Sequence, residues 1–234
     1  MWASSILEAD PRLYVALDLP TIDEALAMVE ILGDSVSSYK IGLQLLPIGG
    51  VELGQKLKAR GKNVFYDFKL HDIGATVEKA TRSIATLGAD LLTVHARPDV
   101  MQSAAQGRGE SELKILGVTV LTSLDKAELE TIGYHDSAET LVMRRVEQAL
   151  EAGIDGVVSS PLEASKIRAR VPDDFLVVTP GVRLPGGDKG DQKRVATPNA
   201  ALASGASHIV VGRPITAASD PFQAAQNVLA DIKG

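Results

Sequence analysis

The chain has 234 residues, 45% hydrophobic and 23% charged, enough to bury a full core as a soluble globular protein. Its net charge of −6, with Lys and Arg dispersed along the chain, gives no basic face to neutralise nucleic acid or an anionic membrane. With no cysteine, disulfides, thiolate nucleophiles and Cys-ligated metals are excluded, so the chemistry must come from Asp, Glu, Lys, Arg, His and hydroxyl groups.

The opening MWASSILEADPR has neither a basic start nor the long apolar stretch of an export signal, and no later apolar run reaches the length of a membrane span. A cytoplasmic protein is expected. The first strand, LYVALDL (13–19), precedes the helical spacing of TIDEALAMVEILG. SYKIGL (38–43) and NVFYDFK (63–69) are the next strands, and TVEKATRSIATLG is a helix behind the third. LLTVHA (91–96) and KILGVTVL (114–121) follow, then the helix SAETLVMRRVEQALEAG and the strands GVVSS (156–160), FLVVTPG (175–181) and HIVVGR (208–213). Glycine punctuates the approach to several strands, in RGKNVFY, LGADLLTV, AGIDGVV and SGASHIVV, where it suits a left-handed helix C-cap. Eight near-continuous apolar strands alternating with helices predict a (β/α)8 TIM barrel, one domain spanning 1–234; an eight-stranded doubly wound sheet is the alternative.

Active sites of such barrels lie at the C-terminal strand ends. There the sequence places Asp18 at the end of strand one, Lys40 in strand two, and Asp67, Lys69 and Asp72 in DFKLHD. Strand alternation predicts that Phe65, Asp67 and Lys69 face inward while Val64, Tyr66 and Phe68 face the helices. These charges could form a structural salt-bridge network, which barrel mouths also hold. The chemical reading is that two carboxylates about 4 Å apart repel by roughly 4 kcal/mol at an effective dielectric near 20, and interleaved lysines offset that. An alternating Lys, Asp, Lys, Asp array keeps every group ionised and offers a fixed ammonium to a centre that becomes negative during reaction. That suits carbanion chemistry without a metal or an organic electron sink.

PGVRLPGGDKGDQKR (180–194), with Arg183 and Gln192, is long and rich in Gly and Pro, and predicts a mobile lid over about 182–193; the alternative is an unstructured surface loop. VGRPI supplies Gly212, for close backbone approach, and Arg213, a planar fork for phosphate oxygens, after strand eight, where barrels of this type commonly bind phosphate. GGDKG is not a dinucleotide fingerprint, because no helix opens after it. Thr122 is a candidate to bond a ligand carbonyl or imide edge, with a helix N-cap as the alternative. His71, His95, His135 and His208 lack metal-ligand spacing and read as structural, and neither a G-x-S-x-G nor a Walker sequence occurs.

Together ALDLP, YKIGLQL, YDFKLHDI, VTVLTS, TPGVR, GDQKR and IVVGRPI, in this order over nearly the whole chain, closely resemble the orotidine 5′-phosphate decarboxylase family of the bacterial type. The resemblance implies a (β/α)8 homodimer that converts orotidine 5′-monophosphate (OMP) to uridine 5′-monophosphate (UMP) and carbon dioxide in pyrimidine synthesis, without cofactor or metal. Lys69 would protonate C6 of the pyrimidine, and Asp67 would sit beside the substrate carboxylate. Asp72 and Thr76 would enter the partner subunit's site, Thr76 near the ribose. Lys40 and Asp18 would contact ribose hydroxyls, and Thr122 would lie near the orotate ring. Gln192 would lie between base and phosphate, and Arg183, Gly212 and Arg213 would hold phosphate. Gly74-Ala75 departs from the family's usual Pro-Asn, which bears on how Thr76 is presented. The nearest rival is a metal-dependent sugar-phosphate decarboxylase or aldolase-type synthase sharing D-x-K-x-x-D, but such enzymes carry an acidic residue where this chain has Lys40. A noncatalytic nucleotide-binding barrel is the other alternative.

Overall fold

A computed structural model describes residues 6–184 and 196–234. The parallel strands β1 (Leu13–Ala16), β2 (Ser38–Gly42), β3 (Asn63–Leu70), β4 (Leu91–His95), β5 (Lys114–Val118), β6 (Gly156–Val158), β7 (Leu176–Thr179) and β8 (His208–Val211) pair in sequence order, and β8 closes on β1. Closure removes the open-sheet alternative. The helices among the described residues are α1 (Ile22–Leu32), α2 (Gly50–Ala59), α3 (Gly74–Ala85), α4 (Pro98–Arg108), α5 (Lys126–Thr131), α6 (Ala138–Ala152), α7 (Ala164–Arg168), α8 (Pro198–Ala203), α9 (Arg213–Thr216) and α10 (Pro221–Lys233). None is long and apolar enough to cross a membrane.

Local sequence signals account for several boundaries. Thr21 and Glu24 form a reciprocal capping box at the start of α1, satisfying backbone donors the first turn leaves open. Ser137 caps α6, and Gly153 ends it in the left-handed conformation at φ 70°. Gly61, Gly88 and Gly205, the other punctuating glycines, also have positive φ.

Two apolar layers follow from strand alternation. Tyr14, Ala16, Phe65, Leu91, Leu116, Val178 and Val210 fill the barrel interior, while a larger core packs the outward strand faces against the helices. Inward Phe65 meets Tyr14 edge-on, with ring centroids 5.7 Å apart. Outward Tyr66 stacks on Phe68 at 4.8 Å, and its hydroxyl donates to the Val51 carbonyl at 2.9 Å. Gly54 on α2 admits this phenol, because a Cβ there would overlap it.

Several strands are shorter than the apolar runs suggest. β1 stops at Ala16, so Asp18 lies on the following loop, and β5 stops at Val118, so Thr122 does too. β8 stops at Val211, and Arg213 opens α9. Apolar residues beyond a strand end are buried too, Leu17 in the outer core and Val120 in the wall of the mouth. Of the lid expected over 182–193, the part from 185 onward, including Gln192, lies outside the described residues. Its flanks meet: Val182 bridges Ala196, and Arg183 N–H donates to the Ala196 carbonyl at 2.9 Å.

Candidate active site

The central cation is placed by strand register. Lys40 pairs with Ala16 on one side and Phe65 on the other, both interior residues, so its side chain also points into the barrel. Its Nζ lies 3.1 Å from Asp18 Oδ1 and 3.3 Å from Asp67 Oδ2. Burial of Lys40 disfavours its charged form, but Asp67 and Asp18 outweigh that and hold the ammonium above its ordinary pKa. Gly42 makes room for this pair: a Cβ there would stand 2.7 Å from Asp18 Oδ1 and 2.9 Å from Lys40 Nζ. The glycine in YKIGLQL is therefore a site residue that sequence reading passed over.

The second cation is placed by an irregularity. Pairing of β3 with β4 runs through Tyr66↔Leu92 and resumes at Leu70↔Val94, so β3 spends two more residues than β4 over this interval. The expected facing survives this bulge: Phe65, Asp67 and Lys69 line the barrel mouth, while Val64, Tyr66 and Phe68 pack in the outer core. The bulge is absorbed at Lys69, which takes φ 48°, the only positive φ at a non-glycine among the described residues, a conformation that costs on the order of 1–2 kcal/mol. Its Nζ still reaches Asp67 Oδ1 at 2.8 Å. Asp67 thus lies between Lys69 and Lys40, and Asp18 completes the alternating array. Burial raises the Asp67 carboxyl pKa, but Lys40 and Lys69, with hydrogen bonds from Lys69 and Thr93, hold it below the ordinary carboxylate value.

This array forms one wall of a cavity of about 490 Å³ at the C-terminal strand ends. Thr122, Arg183, Gly212 and Arg213 line it as well, so the structure gathers most of the sequence candidates in one place. Thr122 is buried, and Asp125 caps α5 with its own capping box, so the N-cap alternative for Thr122 falls away. A Cβ at Gly212 would meet only Ala16 at 3.5 Å, so the protein's own packing does not demand glycine there. Gln44, Ser123 and Thr216 line the cavity too. Gln44 and Ser123 sit in the quoted strings beside Lys40 and Thr122, and their position past a strand end was the available signal.

Asp72 and Thr76 are not among the residues lining this cavity. Both are exposed, at the junction of β3 and α3. Asp72 Oδ1 accepts from the Ile73 amide at 2.6 Å, and its backbone carbonyl accepts from Arg97 at 3.4 Å. Gly74 opens α3 against α4, where a Cβ would lie 2.6 Å from Ser103 Oγ; proline at 74 would require that hydroxyl to turn away. His71 and His95 lie together with ring centroids 4.7 Å apart, and Arg97 donates to His71 Nε2 at 3.1 Å. Burial, then His71 and Lys69, lowers the His95 pKa.

A closed barrel with alternating ammonium and carboxylate groups in a strand-end cavity, beside two arginines, defines a barrel enzyme suited to anionic small molecules. A family model matches residues 11–228, and the chain belongs to that family, the orotidine 5′-phosphate decarboxylase / HUMPS family. The chain is 59% identical over 232 residues to an orotidine 5′-phosphate decarboxylase of Caulobacter vibrioides (strain NA1000 / CB15N), covering 97% of this chain and all of that protein. A Rhodopseudomonas palustris (strain BisB5) relative of the same name is 53% identical over 229 residues, 96% of this chain and 97% of that protein. The crystal structure of orotidine 5′-phosphate decarboxylase from Lactobacillus acidophilus superposes with a TM-score of 0.83 at 36% identity, covering 96% of this chain and all of that one.

Proposed function

We propose that the protein is a carboxy-lyase that converts OMP to UMP and carbon dioxide in pyrimidine synthesis, in the cytoplasm. The observation that carries this reading is the Asp18, Lys40, Asp67, Lys69 array within the cavity. The C6–carboxylate bond breaks, carbon dioxide leaves, and the electron pair stays on C6 in an sp2 orbital that the ring cannot delocalise. Lys69 Nζ stabilises that pair and donates a proton to it, giving UMP; solvent then returns a proton to the amine. Lys40 keeps Asp67 ionised, and Asp67 in turn holds Lys69 at 2.8 Å.

In this reading Arg183, Gly212 and Arg213 grip the phosphate, Asp18 and Lys40 bind ribose hydroxyls, and Thr122 contacts the base. Binding energy at the phosphate, remote from C6, then helps hold the reacting carbon against the Lys69 ammonium in the one-domain barrel. The exposure of Asp72 and Thr76 favours a homodimer in which both reach the partner's cavity. No metal is required: the Lys40 ammonium lies between the carboxylates of Asp18 and Asp67, where it would oppose a divalent cation.

The experiment is a spectrophotometric assay with OMP after exhaustive chelation. Stoichiometric UMP and carbon dioxide are expected. Loss of turnover on chelation would favour a metal-dependent relative, and absence of turnover with and without metal would leave only a nucleotide-binding barrel.

A further inference from the structure

The bulge in β3 carries the reactive lysine past the point where β4 could hold its backbone. Ladder pairing leaps from Tyr66↔Leu92 to Leu70↔Val94, and Thr93 is the β4 residue opposite the gap. Its hydroxyl takes the place of the missing rung. Thr93 Oγ1 accepts from the Lys69 amide at 3.0 Å and donates to Asp67 Oδ1 at 2.8 Å. An amide N–H can only donate, so the hydroxyl proton is committed to the carboxylate. The residue is fully buried, and its strand neighbour two positions back, Leu91, belongs to the barrel interior.

Two features of the reacting pair therefore depend on one oxygen. Lys69 holds a left-handed backbone that persists only where its surroundings fix it, and Asp67 Oδ1 must face Lys69 Nζ while Oδ2 faces Lys40. We propose that Thr93 is a positioning residue for decarboxylation: it bridges the Lys69 amide to the Asp67 carboxylate, fixing the turn that aims the ammonium at C6. This rests on the decarboxylase reading above.

Thr93→Val keeps the branched shape and removes the hydroxyl. Its kcat should fall about 100-fold, the scale of a misplacement near 1 Å, while KM for OMP and Kd for UMP stay within about threefold. Thr93→Ser should restore most of the lost kcat. A Val variant with unchanged kcat, or a Ser variant as slow as Val, overturns the proposal. Thr93→Ala substitutes for Val in the same comparison if the valine chain fails to fold. Crystal structures of the hydroxyl-free variant provide a readout that does not need turnover: Lys69 is expected to leave the left-handed region, and its retention near φ 48° with Nζ still on Asp67 overturns the proposal. A wild-type chain unable to turn over OMP refutes the decarboxylase reading instead, and the variant structures still decide the role of Thr93 in holding Lys69.

Discussion

Replacing Lys69 with alanine isolates the contribution of one ammonium. A unit charge about 3 Å from the developing carbanion is worth roughly 5.5 kcal/mol at an effective dielectric near 20. At 1.36 kcal/mol per decade this is about 10⁴ in rate. Loss of the proton donor removes a further factor of about 10²–10⁴. The fold should survive, because Asp67 retains Lys40 Nζ at 3.3 Å and the Thr93 hydroxyl at 2.8 Å. Steady-state absorbance with OMP should therefore show turnover down by at least about 10⁴, while titration with UMP shows binding retained, since the phosphate contacts are untouched. A Lys69→Ala enzyme within about 100-fold of the unsubstituted one would refute the idea that this ammonium performs the chemistry.

Lys40→Met leaves Asp67 and Asp18 without their shared cation, but Asp67 keeps Lys69 and the Thr93 hydroxyl, so urea unfolding should show a loss of about 1–3 kcal/mol; unchanged stability would mean the pair is not held as described. Mixing Lys69→Ala with Asp72→Ala chains should restore activity through heterodimers that carry one intact site, and no recovery on mixing would show that each subunit works alone. Burial holds His95 and His208 below the ordinary histidine value of 6.5 in the folded protein, so the unfolded chain takes up protons first as pH drops. Their contribution to stability is full above about pH 6.5 and is lost as pH falls through the lower folded values. Tm should fall between pH 7 and 5, and His208→Gln should flatten part of that slope; an identical slope in the variant would contradict it.

The barrel was legible because parallel strands covered on both faces must be apolar almost throughout, and helices between them must repeat at 3.6 residues. Asp18, Lys40 and Asp67 were legible because a charge at the end of such a strand has few structural uses. What escaped was whatever depended on pairing between distant strands. Nothing local in DFKL announces a bulge, so alternation anticipated the inward aim of Lys69 but not its left-handed backbone or the register shift beside it. Thr93 looks like any β-branched strand residue until β3 lies beside it, and Gly42 looks like a strand-end glycine until the Asp18–Lys40 pair occupies its missing side chain. Thr76, and the cross-subunit role of Asp72, came from family resemblance alone, and both residues stand outside the cavity lining of the single chain.

Tyr66 connects the back of the sheet to its reacting face. It fills the hollow at Gly54, on the far side of β3 from the cavity, and is covalently next to Asp67. One methyl group added to α2 would therefore shove the phenol and disturb its neighbour in the chain. A Gly54→Ala allele would present genetically as a catalytic lesion although it touches no substrate, and second-site suppressors would be sought among smaller residues at 66 rather than around the substrate.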